Sequence, residues 1–576
     1  MSGMSSRLRT RLSREDGLRE LDKVVQKYGV VNGKPFTFKD HEFQIEIIRD
    51  TRSRQTVRKC SQVGLSELMV QKTLALATVF PHKRAIFTLP TKDFADKFSK
   101  DRIDSAIENS DHYNSMVVKA NNSASQKKIG SFTLYVAGSF GSNSAISIPA
   151  EILLNDEVDF SNPEVLGKLS SRLRHAELED ERGYRGMRSK FSTPTVHDYG
   201  IDGDFEAGHQ AYYLVKCKCC QEWVLPNFFE DFFVPGYDGA IAALRRGDLA
   251  NPRYAFDKSV LRCPNPKCRA DLWPSLCDPS RRQWVAKRPD AWEHSYQVYP
   301  WDAPKYNPPG VVIRQMGDYP LISDFYNFVI GVPHSDAENS FNVEQAFKDR
   351  ISDVRMWEFL AGTVITGMRN AGVVAGLDVG KIIHFVVKAR VGKYWHVVYA
   401  EKIANTRGNP ATPEILARID YFRCAKVCTD AGPDITLVNE LVEARHQVSA
   451  VVYVRSIKGL QPFEVKGEGE VINADRTKTL KELLAKHNNG ELRYMSRQDI
   501  RDEIFKHLKT TKKIRERSED GDMIERFIKT DDDDHWVHAL NYAQIAGMVM
   551  DFTPQGTVVG VLPGVSKVRV GSSVDS

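Results

Sequence analysis

The sequence predicts a multidomain α/β protein with mainly parallel sheets, and three observations lead to this fold class. The chain has 576 residues, which are too many for one hydrophobic core. Its residues are 41% hydrophobic and 27% charged, as in an ordinary globular protein. Short strand-like and longer helix-like segments alternate before residue 206 and again after residue 371, and this alternation is typical of parallel sheets.

Composition and charge exclude several classes of protein. A formal net charge of +5 is too small for a histone-like polycation, although local basic grooves remain compatible with it. No apolar run reaches the roughly 18 residues of a membrane span. The first residues are rich in arginine but have no apolar core, so we interpret them as a basic arm and not as a secretory signal.

A phosphate-binding loop is predicted at Arg58–Ser66, between a strand and a long helix. In the pattern G-x-x-x-x-G-K-[ST], Gly64 and Ser66 fit, and Leu65 stands where the lysine is expected. Lys59 occupies the first glycine position, from which its side chain could still reach the β- and γ-phosphates. Ser66 would then bind Mg²⁺. The alternative is a polar turn between a strand and a helix.

Two further motifs fit an ATP-hydrolysing site. An apolar strand from Ile152 ends in Asp156 and Glu157, where a P-loop enzyme holds Mg²⁺ and orients the attacking water. We assign Asp156 to the metal and Glu157 to the water; the alternative is a strand end with solvated acids. Ser192 and Thr193 follow another predicted strand and could place hydroxyl groups near the γ-phosphate, or they could form an ordinary turn.

Taken together, these motifs resemble the large subunit of the tailed-bacteriophage DNA-packaging terminases, in particular the lambda-like branch. That family has the displaced lysine, the strand ending in Asp-Glu and a Ser-Thr-Pro coupling motif, which implies a coupling role for Ser192 and Thr193. It also has an upstream aromatic-and-Gln element that contacts adenine. Phe38, His41 and Phe43 match this element, and Gln44 is implied to read the adenine.

The phosphate loop departs from the lambda-like pattern in three places. Cys60 and Leu65 lie inside the loop, and Glu67 stands where that pattern often has lysine. Arg58 beside the loop is a candidate for an arginine finger in cis, which would stabilise charge on the transferring phosphate. The alternative is that Arg58 is a surface arginine.

A structural zinc site is predicted from the cysteines. The chain has nine cysteines, and five fall between Cys217 and Cys268, which favours a metal site in a reducing cytoplasm over a disulfide framework. The predicted ligands are the four thiolates of Cys217, Cys220, Cys263 and Cys268, with Cys219 as the substitute. The alternative is that these cysteines pack as buried apolar side chains.

A metal-dependent nuclease is predicted in the second α/β stretch. Asp378 and Asp430 each end a predicted strand, and an acidic run that includes Asp534 precedes a helix. Three carboxylates brought together in this way are what a two-metal phosphodiester hydrolase requires. This order also resembles the RNase H-like nuclease domain of terminases, whose last motif often reads D-H-x-x-D-A. Asp534 matches the first acid of that motif, and His538 replaces the second.

Alternatives remain open at each of these acids. The third metal ligand could be Asp533 or His538 instead of Asp534, and Asp434 competes with Asp430. Asp378 could be a hairpin residue, and the acidic run could be a helix cap favoured by the helix dipole. A basic stretch from Lys506 to Arg517 could follow phosphates or form a solvated face.

The terminase resemblance spans residues 36–552 and implies a complete function. It implies ATP-driven translocation of double-stranded DNA through a portal into a procapsid, and endonucleolytic cutting of concatemeric DNA. Its cofactors would be ATP with Mg²⁺, two Mg²⁺ or Mn²⁺ ions at the nuclease site and a structural Zn²⁺. Its partners would be a small terminase subunit, the portal protein and further copies in a ring, in the bacterial host cytoplasm, docked on the procapsid. The rival functions are a helicase-nuclease and a non-catalytic zinc-stabilised DNA-binding assembly protein.

The predicted domains follow from these assignments. They are a basic arm and helix (1–35), a P-loop ATPase domain (36–205), a cysteine-rich zinc-ribbon-like insert (206–310), a connecting region (311–371), an RNase H-like nuclease domain (372–552) and a flexible tail (553–576).

Overall fold

The computed structural model describes residues 14–139, 148–319, 321–334, 339–344, 346, 372–406, 410–458, 461–517, 523–530 and 533–552. The chain divides into two compact units. The first comprises Met1–Ser335 with Arg515–Ile524, and the second comprises Asp336–Ile514 with Glu525–Ser576. The domain boundaries expected from the sequence are finer than this division and stay predictions. The tail 553–576 and the arginines of the basic arm before Arg14 lie outside the described residues.

The first unit is built on a mixed sheet that is parallel at its centre. Its helices are α1 Arg14–Arg19, α2 Leu21–Tyr28, α3 Gln44–Arg49, α4 Leu65–Val79, α5 Lys92–Phe98, α6 Ser105–Glu108, α7 Asp111–Met116, α8 Pro163–Ser170, α9 Gly200–Ala207, α10 Phe228–Asp231, α11 Trp273–Leu276, α12 Pro309–Arg314 and α13 Ile322–Asp324. Its strands are β1 Val30–Val31, β2 Lys34–Pro35, β3 Arg54–Lys59, β4 Arg84–Leu89, β5 Gln126–Ile129, β6 Phe132–Gly138, β7 Ile152–Asp156, β8 Met187–Ser192, β9 Ala211–Lys216, β10 Trp223–Val224, β11 Phe232–Phe233, β12 Val260–Leu261, β13 Arg282–Ala286 and β14 His294–Val298.

The large sheet of this unit has the order β10-β9-β14-β3-β8-β7-β4-β6-β5, and β13 pairs with β9. The strands from β9 through β14, β3, β8, β7 and β4 to β6 are parallel, and β5, β10 and β13 add antiparallel edges. β3 and β7 are buried along almost their whole length. α4 is apolar on most sides and is buried from Leu65 to Ala77 with few exceptions, as expected for a helix inside a domain.

The second α/β unit contains a sheet of the order β20-β21-β19-β18-β15-β16-β17-β22. From residue 372 onward the strands are β15 Val373–Asp378, β16 Ile382–Val391, β17 Tyr394–Ala404, β18 Lys426–Asp430, β19 Val448–Val454, β20 Phe463–Lys466, β21 Val471–Asp475, β22 Leu492–Arg493, β23 Thr511–Arg517 and β24 Met523–Lys529. The helices are α14 Thr412–Tyr421, α15 Ile435–Ala444, α16 Arg476–Asn488, α17 Gln498–Thr510 and α18 His535–Phe552. β15, β16 and β17 form an antiparallel meander, and β15, β18, β19 and β21 are parallel. The predicted α/β class with mainly parallel sheets is confirmed.

α18 packs closely against the middle of the second sheet. Its residues Trp536, Leu540 and Ala543 are fully buried, and the helix contacts β15, β16 and β18. At Gly376 on β15, a Cβ would collide with the carbonyl oxygen of Ala539 and the amide nitrogen of Ala543. Glycine is therefore required at this position, because only its missing side chain allows the helix backbone to approach the strand.

None of the helices in the described part of the chain combines the length and the apolar character that crossing a bilayer requires.

Substitution of Gly376 by alanine is expected to destabilise the second unit. The added methyl group meets backbone atoms that cannot rotate away, so the helix must shift, at a cost of about 1–3 kcal/mol in the free energy of unfolding. Denaturant unfolding of the purified chain measures this change. Gly380→Ala is the control, because a Cβ there meets nothing closer than 3.4 Å, and an equal loss in both variants would contradict the close-packing explanation.

Candidate functional site

The predicted phosphate loop lies between a buried strand and the N-terminus of a long helix. β3 ends at Lys59, and α4 begins at Leu65. Gly64 has a φ of 74° and Gln62 a φ of 58°, so the loop turns through the left-handed region twice. This arrangement directs backbone N–H groups and the positive end of the α4 dipole toward the space above the loop, as anion binding requires.

Gln44, the predicted adenine reader, lies against this loop. It is buried, and its side-chain Nε2 donates a hydrogen bond to the backbone oxygen of Val63 at 3.0 Å. A Cβ on Gly64 would lie 3.1 Å from the same nitrogen, so the absence of a side chain there keeps the contact short. Gln44 thus holds the loop in place, and its contact with adenine stays a prediction.

Lys59 and Glu157 form an ion pair beneath the loop. The Nζ atom of Lys59 lies 3.0 Å from Oε1 of Glu157, and Lys59 is only 5% exposed. Burial by itself lowers the pKa of Lys59, but the charges of Glu157 and Asp156 outweigh it and raise the pKa. The lysine therefore stays charged in the interior, which is the state that a phosphate ligand needs.

Asp156 and Ser66, the predicted Mg²⁺ ligands, are in contact. Asp156 is buried at the end of β7, and burial raises its pKa to about 7, although Lys59 and a hydrogen bond with the Ser66 side chain oppose this shift. Glu157, the next residue, has a φ of 52°. A non-glycine residue held in the left-handed region stores strain, and such residues cluster at functional sites.

The predicted coupling segment is tied to the acids of β7 through Asp159, a residue that the sequence patterns do not single out. Asp159 accepts hydrogen bonds from the backbone nitrogen and the hydroxyl of Thr195, both at 2.8 Å, and from the backbone nitrogen of Ile201 at 2.6 Å. Ser192 accepts a bond from the backbone nitrogen of Asp159 at 3.4 Å. The Thr193 hydroxyl is buried and makes no hydrogen bond to any described residue.

Arg58, the arginine-finger candidate, is neither a surface arginine nor a free cation. It is buried, its guanidinium bonds the Asp202 carboxylate and the Gln297 side chain, and it lies 3.9 Å from the ring centroid of Phe205. Moving this side chain to a phosphate would leave the Asp202 charge buried and unpaired, at a high energetic cost. The contacts of Arg58 therefore indicate a structural role.

The four predicted zinc ligands lie together in the cysteine-rich part of the first unit. All of their sulfur atoms lie within 4.8 Å of one another. The Sγ atoms of Cys217 and Cys268 are 3.9 Å apart, and those of Cys220 and Cys263 are 3.8 Å apart. The residue after the second cysteine of each pair has a left-handed backbone, with φ 62° at Gln221 and 47° at Arg269. The backbone therefore makes the same left-handed turn after each cysteine pair, and both pairs surround the same small space.

In the second unit, Asp378 and Asp430 end the adjacent parallel strands β15 and β18. Burial raises the pKa of Asp430, and the nearby charge of Asp378 raises it further. Asp434, the competitor of Asp430, instead caps α15, since it accepts the backbone N–H of Leu437 at 3.2 Å. Two carboxylates that repel each other at one sheet edge form a site suited to a cation.

The candidate third acid, Asp534, contacts a histidine of the helix that follows it. Asp534 bonds Nε2 of His538 at 3.2 Å, and although burial raises its pKa, the bond and charge of His538 bring the pKa down to about 2. Asp533 lies 3.8 Å from Nε2 of His535. The metal-ligating atoms that gather around Asp378 belong to His384 and His535, which are not among the metal ligands predicted from the sequence. The first two residues of the acidic run, Asp531 and Asp532, lie outside the described residues.

The basic stretch after Lys506 is only partly solvated. Lys506 and Lys509 are exposed on α17, whereas Lys513 lies 3.7 Å from Glu525. A phosphate-following role for this stretch stays a prediction.

The central parallel sheet, the loop between β3 and α4 and the acids that end β7 define the first unit as a P-loop ATPase. Residues 41–271 match the family model of the phage terminase large subunit gpA, ATPase domain. Residues 41–271 are therefore similar to the ATPase domain of a phage terminase large subunit, and the resemblance predicted from the motifs is confirmed. None of the curated protein sequences matches the chain.

The comparison with solved structures finds several large terminases to which the chain is similar. The large terminase of the HK97 bacteriophage is 10% identical, with 92% of this chain and 99% of that chain covered and a TM-score of 0.48. The large terminase of a thermophilic bacteriophage is 10% identical, with 88% and 98% covered and a TM-score of 0.32. The large terminase nuclease of the thermophilic phage G20c with bound magnesium is 15% identical, with 31% and 82% covered and a TM-score of 0.22.

Replacement of Cys220 by serine is expected to remove one zinc equivalent from the purified chain. Three thiolates bind zinc far more weakly than the four that the cluster offers. Elemental analysis after dialysis against a chelator measures the loss. Cys219→Ser is the matched control, since Cys219 is exposed and outside the cluster. Loss of zinc in Cys219→Ser with retention in Cys220→Ser would reverse the ligand assignment.

Proposed function

We propose that the chain is the large subunit of a viral DNA-packaging terminase, which moves double-stranded DNA into a procapsid by hydrolysing ATP and cuts concatemeric DNA with a separate metal-dependent nuclease. The observation that carries this proposal is the convergence of Lys59, Ser66, Asp156 and Glu157 at one phosphate loop within a terminase-type ATPase domain. The acids at the ends of β15 and β18 support the nuclease part.

The ATPase proposal rests on what each side chain can do at the loop. Lys59 is charged and points toward the acids, and it would turn to the β- and γ-phosphates when ATP binds. That movement releases Glu157, which can then orient a water molecule for attack. Ser66 and Asp156 offer oxygen atoms of the kind that Mg²⁺ prefers, and bound Mg²⁺ would neutralise phosphate charge.

The coupling proposal follows from the bonds of Asp159. This residue lies two positions after Glu157 and holds both Thr195 and the start of α9 at Ile201. A change in the position of Glu157 would therefore be transmitted through Asp159 to the coupling segment at Ser192 and Thr193. We assign these hydroxyl groups to sensing the γ-phosphate.

The nuclease proposal assigns Asp378 and Asp430 to divalent metal binding. Mg²⁺ or Mn²⁺ held there would supply charge stabilisation for phosphodiester hydrolysis. Asp534, Asp533 or His538 completes the set, and Asp534 is favoured over Asp533 because its side chain is only 17% exposed, against 54% for Asp533.

A zinc ion fits the cysteine cluster. In a tetrahedral site with Zn–S bonds of about 2.3 Å, the sulfur atoms lie about 3.8 Å apart, as the two measured pairs do. Four thiolates of Cys217, Cys220, Cys263 and Cys268 leave no open position, so this zinc would be structural. It would hold together a region that has only short strands and helices of its own.

The proposed partners follow from the proposed function. They are double-stranded viral DNA, a small terminase subunit that recognises DNA, the portal protein of the procapsid and further copies of this chain in a ring at the portal. The place of action would be the bacterial host cytoplasm, with transient docking on the procapsid.

Glu157→Gln is expected to slow ATP hydrolysis by roughly 10²–10⁴-fold, because the amide cannot accept a proton from the attacking water. Binding of a fluorescent ATP analogue should persist, since Lys59 and Ser66 remain. Phosphate release and analogue titration measure the two quantities. Glu164→Gln, at an exposed position on α8, is the control and should hydrolyse ATP normally. Unchanged hydrolysis in Glu157→Gln would remove Glu157 from the catalytic role.

Asp378→Asn and Asp430→Asn are each expected to abolish cleavage of plasmid DNA in Mn²⁺ or Mg²⁺, because the amides hold a divalent cation poorly. ATP hydrolysis should remain in both variants. Asp434→Asn is the matched control, since asparagine can still cap α15 and cleavage should persist. Equal cleavage by all of these variants would contradict the proposed site, and loss of cleavage in Asp434→Asn alone would restore the competing assignment.

A further inference from the structure

A second set of metal-ligating side chains surrounds Asp378. One carboxylate oxygen of Asp378 and one ring nitrogen each of His384 and His535 lie within 4.8 Å of one another. Neither histidine belongs to the acidic set of the proposed nuclease. The donor set consists of two imidazoles and one carboxylate.

The fold brings these residues together from three elements. Asp378 ends β15 and pairs directly with His384 on the antiparallel strand β16. His535 begins α18, whose close approach to β15 depends on Gly376. The His535 ring stacks on His384 with a centroid distance of 4.9 Å and an angle of 12°, and its Nδ1 lies 2.8 Å from the Asp378 carboxylate.

His384 has an unsatisfied nitrogen in this cluster. The residue is only 5% exposed, and its Nδ1 is buried without a hydrogen-bond partner in the described part of the chain. A buried polar atom of this kind is costly unless a ligand satisfies it. The neighbouring His507 differs, since its Nδ1 accepts the backbone N–H of Trp536 at 3.2 Å.

We propose that Asp378, His384 and His535 bind a divalent transition-metal ion of the manganese-to-zinc series in preference to Mg²⁺. The affinity of a site with nitrogen and oxygen ligands rises along this series from Mn²⁺, whereas Mg²⁺ requires oxygen ligands and gives up its water reluctantly. Asp378 is then shared between this ion and the carboxylate site with Asp430. Only the role of this ion in DNA cleavage rests on the proposed nuclease function, because the cluster of ligand atoms is present whether or not the protein cuts DNA.

The test uses Mn²⁺ as the probe, because the cysteine cluster prefers softer metals. Full-length protein carrying its zinc, without nucleotide, is titrated with Mn²⁺ and with Mg²⁺, and pulsed electron paramagnetic resonance records nitrogen coupling to bound Mn²⁺. We expect nitrogen coupling in the wild type. We also expect a loss of Mn²⁺ affinity of about tenfold or more in His384→Gln and in His535→Gln, with little change for Mg²⁺.

The controls separate ligation from folding. His535 has a side chain that is 49% exposed, so His535→Gln should fold even if the buried His384→Gln does not. His446→Gln removes an exposed histidine of the same unit and should leave both Mn²⁺ affinity and nitrogen coupling unchanged. Absence of nitrogen coupling in the wild type, or Mn²⁺ affinity unchanged in His535→Gln, would overturn the proposal and leave the His535–Asp378 contact as a simple ion pair.

Failure of this inference can be told apart from failure of the nuclease proposal. Plasmid cleavage that depends on Asp378, without nitrogen coupling to Mn²⁺, would support the nuclease proposal and contradict the histidine ligands. Nitrogen coupling without cleavage in any metal would support the metal site and contradict the nuclease proposal.

Discussion

A parallel strand that is buried on both faces can carry charged side chains only near its ends, and this constraint places both candidate sites. β3 and β7 are buried along almost their whole length, and their polar ends are Lys59 and Asp156. β15 is likewise buried up to Asp378. Parallel strands end at the same edge of a sheet. Charged side chains at the ends of neighbouring strands therefore lie close together at that edge.

Charges gathered in this way must be compensated before any ligand arrives. Lys59 is paired with Glu157, and Asp378 is paired with His535. Both contacts satisfy a partly buried charge that would otherwise be costly. They also hold the side chains in position to bind a phosphate or a metal ion. The resting ion pairs and the proposed chemistry therefore use the same residues.

The cysteine-rich region has little regular secondary structure to stabilise it. Its strands and helices are short, and Cys217 and Cys263 are buried within an aromatic cluster that includes Phe228 and Trp301. A region with so little regular structure would gain order from the proposed tetrahedral zinc site. The two similar left-handed turns after the cysteine pairs are consistent with both pairs converging on one ion.

The sequence by itself determined the features that depend on neighbours in the chain. Lys59, Gly64 and Ser66 could be placed on a strand–loop–helix, and Asp156 and Asp378 at strand ends, because periodicity and loop chemistry are local. The terminase-type ATPase domain followed from the order of these motifs, and the family match confirms it. The cysteine set could be chosen because cysteine pairs at short spacing are typical of zinc ligands.

Only the tertiary structure decided what depends on registers and burial. His384 lies opposite Asp378 in a cross-strand pair. Asp159 binds the coupling segment through Thr195. Arg58 is buried in an ion pair with Asp202. Asp434 became a helix cap for the same kind of reason. Such contacts join residues that are far apart in the chain, and single-sequence patterns carry no record of which strand lies beside which or of how deeply a side chain is buried.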